Sequence, residues 1–181
     1  MSTMPPCPTD LYGAAAELLG AAIEALDTIP LCDSSLDGAP VRAFVSPGVP
    51  AIDCCPQLTT HVVQVRDAPF AGGGLSEGRK LAASVTHVYL TVTIQRCVHM
   101  PDQDGNPPLE ADMEGDARQM DADAWALWNH IWFLWRSGAL FTICDEMFMD
   151  GLRLLGPSGG CGGWTLDIHI SLSGYEEAAS S

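Results

Sequence analysis

The segment from Ser84 to Val98 constrains the fold most, because its side chains alternate in character along its whole length. Successive side chains of a β-strand point to opposite faces of a sheet. One face would carry Val88, Leu90, Val92 and Ile94, and the other His87, Tyr89, Thr91, Thr93 and Gln95. The pattern predicts a strand with one core face. The second face is β-branched and aromatic rather than charged, which favours cover by another element or by a partner chain.

Several other segments are typical of strands. Arg42 to Val45 predicts a short strand, and Gln57 to Arg66 a longer one with Thr59, His61, Val63 and Val65 on one side. Cys144 to Leu155 is predicted to be partly strand. Trp164 to Leu172 alternates again, so these two segments form a hairpin-like pair around the glycine-rich run GPSGGCGG, which we interpret as a turn.

Two segments have helical spacing. Thr9 or Asp10 can cap a helix that runs to Leu26 and carries a stripe of small and aliphatic residues. Leu109 to Ser137 predicts a long helix that is closed by Gly138 in the left-handed conformation.

The chain of 181 residues fits a single domain, which we take to span residues 1–181. We expect loose ends at about residues 1–8 and 173–181, and an exposed loop at about 68–80 around Gly72, Gly73 and Gly74. The pattern of elements predicts an α/β fold of the α+β type. Its sheet would be mixed and mostly antiparallel, with about four or five strands, and would pack against two main helices.

The second half of the long helix is more apolar than one domain core requires. Met120, Ala124, Leu127, Trp128, Ile131, Leu134 and Trp135 form an ordinary core stripe, but further aromatic residues widen the apolar arc beyond half of the circumference. Trp125, Trp132 and Phe133 are therefore candidates for a subunit interface, where tryptophan is favoured. The alternative is that a loop of the same chain covers them.

The charge balance argues against nucleic-acid binding. Lys and Arg number 8 and Asp and Glu 23, which gives a net charge of −15. General DNA binding depends on clustered basic residues, and no stretch gathers three of them. The seven cysteines form no CxxC pair, and the N-terminus lacks the features of an export signal. We expect free thiols in a reducing cytosol, and no membrane span.

Candidates for chemistry are weak. Asp102, Asp104 and Asn106 resemble fragments of a calcium loop, but the spacing fails. Cys97 and His99 could ligate zinc together with Cys54, Cys55 or His61, although no second pair has zinc-like spacing. Cys161 lies in the glycine-rich run without a nearby cation to activate it. No GxSxG or phosphate-binding motif is present. The sequence predicts no catalytic, cofactor-binding or metal site.

Several segments, in their order along the chain, resemble the tail terminator proteins of long-tailed phages of actinobacteria. They are the helical start LYGAAAELLGAAIEAL, then CCPQLTTHVVQV, then TIQRCVHMPDQDGNPP, the long Trp-bearing helix and the closing LLGPSGGCGGWTLDIHISL. The loop AGGGLSEGRKLA departs in composition from that family.

The resemblance implies a structural protein of the virion rather than an enzyme. Such a subunit closes into a ring, a homohexamer by analogy, at the head-tail junction. The ring caps the major tail tube protein, offers a surface to the stopper protein of the head, and lets genomic DNA pass without specific binding. Assembly would take place in the cytoplasm of the host bacterium. Two alternatives remain open: a head-side stopper or adaptor protein of the same neck, and an unrelated thiol- or zinc-dependent enzyme.

Overall fold

A computed structural model of the chain has a five-stranded mixed sheet with two main helices on one of its faces. The structure describes residues 11–32, 35–50, 56–69, 84–141, 144 and 146–173. This architecture confirms the predicted α+β fold and its mostly antiparallel sheet. The predicted loose N-terminus, and all but Ser173 of the predicted loose C-terminus, lie outside the described residues.

The elements follow one another as α1 (Leu11–Asp27), α2 (Ile29–Cys32), β1 (Arg42–Val45), β2 (Gln57–Pro69), β3 (Ser84–Cys97), α3 (Glu110–Arg136), β4 (Glu146–Ser158) and β5 (Cys161–Ser173). The strands lie side by side in the order β1-β2-β3-β5-β4. The pair of β1 and β2 is parallel, and the other three pairs are antiparallel. The sheet therefore begins and ends with β1 and β4.

Most predicted boundaries lie close to the observed ones. β1 has the predicted bounds, and β4 and β5 form the predicted hairpin. The prediction of a turn over all of GPSGGCGG was wrong: only Gly159 and Gly160 form the turn, residues 156–158 end β4, and residues 161–163 begin β5. At the end of α3, Gly138 has a φ of 71°, the left-handed conformation that the sequence predicted. The short helix α2 was not predicted, because Pro30 suggested a break; a proline is tolerated in the first turn of a helix, where its missing N–H has no partner to lose.

The prediction for β2 was wrong in two respects. Its pairing with β3 shifts between Val62 and Gln64, so Val63 is an extra residue that exchanges the two faces of the strand beyond it. Val65 therefore pairs with Val88 of the core face rather than continuing the face of His61. The strand also extends to Pro69, so residues 68 and 69 belong to it, and residues 70–80 of the predicted loop lie outside the described residues.

The core lies between the sheet and the two main helices. As predicted, Val88, Leu90, Val92 and Ile94 of β3 are almost completely buried. They pack with aliphatic residues of the flanking strands and with the small residues of α1. The Thr60 hydroxyl donates a hydrogen bond of 2.7 Å to the carbonyl of Ala15, which fixes α1 over β2. At Gly163 of β5 any side chain would collide with the carbonyl of Ile94, so only glycine allows the two strands to approach at this point.

A buried ion pair fixes α3 against β3. Asp123 is 0% exposed, and its carboxylate accepts hydrogen bonds of 2.9 and 2.8 Å from the Arg96 guanidinium. Gln119 donates a third, of 3.0 Å. Arg96 also donates to the carbonyl of Gly38, so one guanidinium joins β3, α3 and the segment before β1. Burial raises the pKa of Asp123, and the hydrogen bond from Arg96 acts in the opposite direction.

Candidate subunit interface

The aromatic half of α3 has one buried side. Ala124, Leu127 and Ile131 recur at helical spacing and are buried against the sheet, with Leu127 and Ile131 at 0% exposure. Trp128, Leu134 and Trp135 are half-buried and pack at the margin of this core. The stripe predicted from the sequence is therefore centred on Leu127 and Ile131, and its two tryptophans lie at its edge.

The three residues proposed as an interface are exposed. Trp125 is 58% exposed, Trp132 44% and Phe133 64%. We call these three residues the aromatic patch. The Arg136 guanidinium lies over the Trp132 ring at 5.8 Å from its centroid, so the ring holds a cation at its solvent side. No segment within the described residues covers these rings.

The position of α1 defines which way the aromatic patch faces. On the side of α3 nearest α1, His130 approaches Glu24 of α1 at 3.5 Å. Asp123 faces Arg96 of β3. At about 100° per residue, Trp132 lies roughly 180° round the helix axis from Asp123, on the opposite side of α3. Because α1 packs on β1 and β2 while α3 packs on β5 and β4, the side of α3 that carries Trp125 and Trp132 is turned away from α1.

The sheet face that the helices leave open is polar and aromatic. His87 of β3 and His169 of β5 meet there, with 2.9 Å between the His87 Nδ1 and the His169 Nε2. The Ser171 hydroxyl lies 3.1 Å from the same His87 nitrogen, and the His169 ring stacks on Tyr89 with centroids 4.4 Å apart. Burial lowers the pKa of His169, and the neighbouring His87 lowers it further.

Next to this group, an ionic network crosses three strands. Asp167 of β5 accepts a hydrogen bond of 2.7 Å from the Thr91 hydroxyl and one of 2.9 Å from the Arg153 Nε. It lines an open cleft of about 470 Å³ together with His61, which is 4% exposed. Burial lowers the pKa of His61, while the Asp167 charge acts in the opposite direction. The cleft therefore brings the His61 imidazole near the Asp167 carboxylate, which pairs with Arg153 at 2.7 Å.

Sequence reasoning missed both groups because they depend on pairing register. The alternation placed His87 and Tyr89 together, and His169 and Asp167 on one face of another strand, but the contacts need β3 and β5 to be neighbours with Tyr89 opposite His169. The buried pair of Arg96 and Asp123 was missed for a related reason. It joins a strand to a helix across 27 positions of sequence, and no local pattern marks such a pair.

The residues that resembled a calcium loop form a turn. The Asp102 carboxylate accepts hydrogen bonds from the backbone N–H groups of Asp104 and Asn106 and from the Asn106 side chain. The bonds to Asn106 lower the pKa of Asp102. The Asp102 carboxylate thus binds the N–H groups of its own turn, as aspartate side chains commonly do in tight turns.

Of the cysteine and histidine candidates, Cys97 and Cys161 lie opposite each other where β3 pairs with β5. His99 contacts Asp116 at 3.0 Å, Cys97 is exposed at the end of β3, and Cys161 is buried at the start of β5. Cys54 and Cys55 lie outside the described residues. Within the described ranges, no three His, Cys, Asp or Glu side chains come close enough together to hold a metal ion.

No model of a known protein family matches the chain, and no curated protein matches it significantly. None of the helices in the described part of the chain is both long enough and apolar enough to span a bilayer. The features of the chain that bear on function are the aromatic patch, the polar open face of the sheet and the net charge of −15.

Proposed function

We propose that the protein is a structural subunit of a phage tail, a tail terminator that forms a ring at the head-tail junction. The observation that carries the proposal is the aromatic patch, in which Trp125, Trp132 and Phe133 are 58%, 44% and 64% exposed. Large aromatic residues of this kind are enriched where proteins bind one another and supply much of the binding energy there. The order of motifs along the chain, which resembles that of tail terminators, supports further copies of the same chain as the partner.

The charge supports the same role. A ring through which DNA passes must not retain it, and a net charge of −15 repels a polyanion. In α3 the acidic residues are concentrated before Trp125 and the aromatic residues after it. One helix thus provides a DNA-repelling segment and an adhesive segment. The proposed partners are other copies in a homohexamer, the major tail tube protein, and the stopper protein of the head, with the DNA passing through the lumen.

Binding of the purified protein to tail tubes tests the proposal directly. Purified protein is mixed with tail tubes that lack a terminator and with portal-bearing heads, and both are examined by electron microscopy. A tail terminator caps the tubes and stops their growth. Binding to heads instead would support the alternative of a head-side stopper or adaptor. Binding to neither, together with a monomeric mass in light scattering at assembly concentrations, contradicts the proposal.

The enzyme alternative has its own measurement. Protein purified without chelator is analysed for metal, and a near-stoichiometric zinc content would favour a zinc-dependent enzyme over a structural ring. We expect substoichiometric zinc, because the described His, Cys, Asp and Glu residues form no cluster of three or more.

A further inference from the structure

The sheet has two outer edges at opposite sides of the molecule. β1 and β4 end the strand order, and no other strand in the described ranges pairs with the outer side of either. An edge strand presents a row of backbone N–H and C=O groups that can pair with another chain. Because the two edges belong to different strands, they can join copies head to tail, the kind of contact that closes rings.

The edge of β4 is regular only over its first part. The pairing with β5 is irregular between Met149 and Gly151 and again between Leu155 and Ser158, and Pro157 lies in the second irregularity. Bulges and prolines are features that prevent pairing at an edge. Residues 146–149 are left as the regular stretch, and Asp150 is the extra residue of the first irregularity. Phe148 is 51% exposed there, between the exposed carboxylates of Glu146 and Asp150.

The edge of β1 has complementary properties. The strand has four residues, so its length matches the regular stretch of β4. It carries the exposed Arg42, whose guanidinium lies 5.4 Å from the centroid of the Phe44 ring. Val41, immediately before it, is fully exposed at 105%. The β1 edge is thus basic and apolar, and the β4 edge is acidic and apolar.

Resting on the proposed function, we propose that β4 of each copy pairs with β1 of the next copy, so that one sheet continues around the ring. β1 runs parallel to β2, and three antiparallel steps lead from β2 to β4. β4 therefore runs opposite to β1 in one copy. Copies related by rotation about an axis near the strand direction keep their strand directions, so the new pair is antiparallel.

The two faces of the sheet limit the register of this pair. Ala43 and Val45 of β1 and Met147 and Met149 of β4 face the helix layer, where they pack at the core. Phe44 and Phe148 face the open side. Placing Phe44 opposite Phe148 keeps each face continuous and pairs Val45 with Met147 and Ala43 with Met149. The same register brings Arg42 beside Asp150, the extra residue of the bulge, where the two side chains carry opposite charges.

The competing contact, between two β4 edges, is disfavoured by charge. In an antiparallel pair of identical strands centred on Phe148, Glu146 of each copy would lie opposite Asp150 of the other. Like charges directly opposite each other destabilise a strand pair. The acidic edge therefore selects the basic β1 edge.

A continuous sheet also brings a partner helix against the aromatic patch. α3 packs on the β4 side of the sheet, and α1 packs on β1 and β2. When β4 lies beside β1 of the next copy, α3 comes beside α1 of that copy. Leu11 and Tyr12 of α1 are 42% and 67% exposed. We assign Trp125 and Trp132 to contacts with this neighbouring α1.

Cross-linking tests the pairing. Arg42→Cys and Phe148→Cys change exposed side chains, and a short bismaleimide spans the distance between them in each register that keeps the faces continuous. The full-length double variant is treated under conditions in which the unchanged protein assembles, and is analysed on denaturing gels. We expect a ladder of linked chains that ends at the ring size. The unchanged protein and each single variant serve as controls for the native cysteines and should give no ladder.

Each outcome has a distinct meaning. Dimers from Phe148→Cys alone would show that β4 pairs with β4, which overturns the inference. A ring-sized mass in light scattering without a ladder from the double variant would also overturn it, and would leave the proposed ring intact. A protein that stays monomeric at every concentration at which it is soluble would overturn both proposals.

An exchange of charges tests the register separately. Arg42→Glu and Asp150→Arg should each weaken assembly by about fivefold, and the two together should restore it. If assembly were weakened in both single variants but not restored in the double variant, Arg42 would lie opposite a group other than Asp150.

Discussion

The two faces of the sheet are built from the same strands but differ in chemistry. On the face beneath the helices, Leu90 and Ile94 of β3 belong to the apolar core and are at most 1% exposed. On the other face, residues of the same strand make polar contacts: Thr91 binds Asp167, and His87 contacts His169. The first face resembles the interior of any small domain, and its energy comes from apolar burial.

From this difference we expect stability to depend on the helix-covered face and the proposed interactions to depend on other surfaces. The helix-covered face carries the apolar core, whereas the buried side chains of the open face, such as Thr91, Thr93 and Gln95, are polar. The aromatic patch extends this division to α3, where Leu127 and Ile131 belong to the core and Trp125 and Trp132 lie outside it. Substitutions on the two kinds of surface should therefore have different consequences, and the following predictions test that separation.

The largest contrast is between two ion pairs of the same chemical type. Asp123→Ala leaves the buried Arg96 without its counter-charge and should lower the free energy of unfolding by about 3–5 kcal/mol. The pair of Arg153 and Asp167 is on the open face, with side chains 70% and 28% exposed, so Arg153→Ala should cost only about 0.2–1 kcal/mol. Urea unfolding of both variants measures the two values. Equal losses would show that the open face is as important to stability as the covered one.

A smaller contrast concerns two residues three positions apart on β3. Leu90→Ala removes a side chain that is 1% exposed in the core and should destabilise the protein by about 2–5 kcal/mol through the cavity it leaves. Thr93→Ala on the open face should cost no more than about 1 kcal/mol. Thermal unfolding followed by circular dichroism compares them. A Thr93→Ala variant as unstable as Leu90→Ala would contradict the assignment of the core to one face.

The next prediction separates folding from assembly on α3. Trp125→Ala and Trp132→Ala should change the unfolding free energy of the isolated subunit by no more than about 0.5 kcal/mol, because both rings are exposed. If the patch is an interface, each should weaken assembly by about 2 kcal/mol or more.

Ile131→Ala is the matched control on the same helix. Ile131 is fully buried, so its truncation should lower stability by about 2–5 kcal/mol. Calorimetry of the subunit and electron microscopy of tails made with each variant provide the two measurements. Normal assembly by both tryptophan variants would remove the patch from the interface.

The sequence predicted the features that depend on local periodicity. The alternation of Val88 to Ile94 identified the core face, and helical spacing identified both the buried stripe of α3 and the exposed Trp125 and Trp132. Non-local features were not accessible in this way. The extra residue Val63 reverses the faces of β2, and nothing in the alternating pattern reveals a bulge before the partner strand is known.

The charged and polar contacts of the site needed strand order as well as register. His87 and His169 are 82 positions apart and meet only because β3 and β5 are adjacent. Arg96 and Asp123 were both within predicted elements, but their pairing requires the crossing point of α3 over β3 to be known. Sequence periodicity thus predicts which side of an element is buried, and not which element lies against it.

The smallest expected effect is a dependence of stability on pH that arises on the open face. Burial and the neighbouring His87 lower the pKa of His169 below its ordinary value of 6.5, although Glu146 and Asp150 of β4 act in the opposite direction. The unfolded chain therefore binds this proton at a higher pH than the folded chain does. Protonation favours unfolding, so the free energy of unfolding should decrease as the pH falls through 6.5 toward the lowered pKa.

His169→Gln removes this titration and should make the melting temperature less dependent on pH between about pH 7.5 and 5.5, where histidine titrates and most carboxylates do not. His61 also has a lowered pKa, so some dependence should remain in the variant. His87→Gln is the informative second variant, because it removes the repulsion but keeps the His169 ring, and should reduce the dependence only in part. If instead the melting temperature of His169→Gln changed with pH as steeply as that of the unchanged protein, the two imidazoles, although 2.9 Å apart, would make no contribution to the pH dependence of stability.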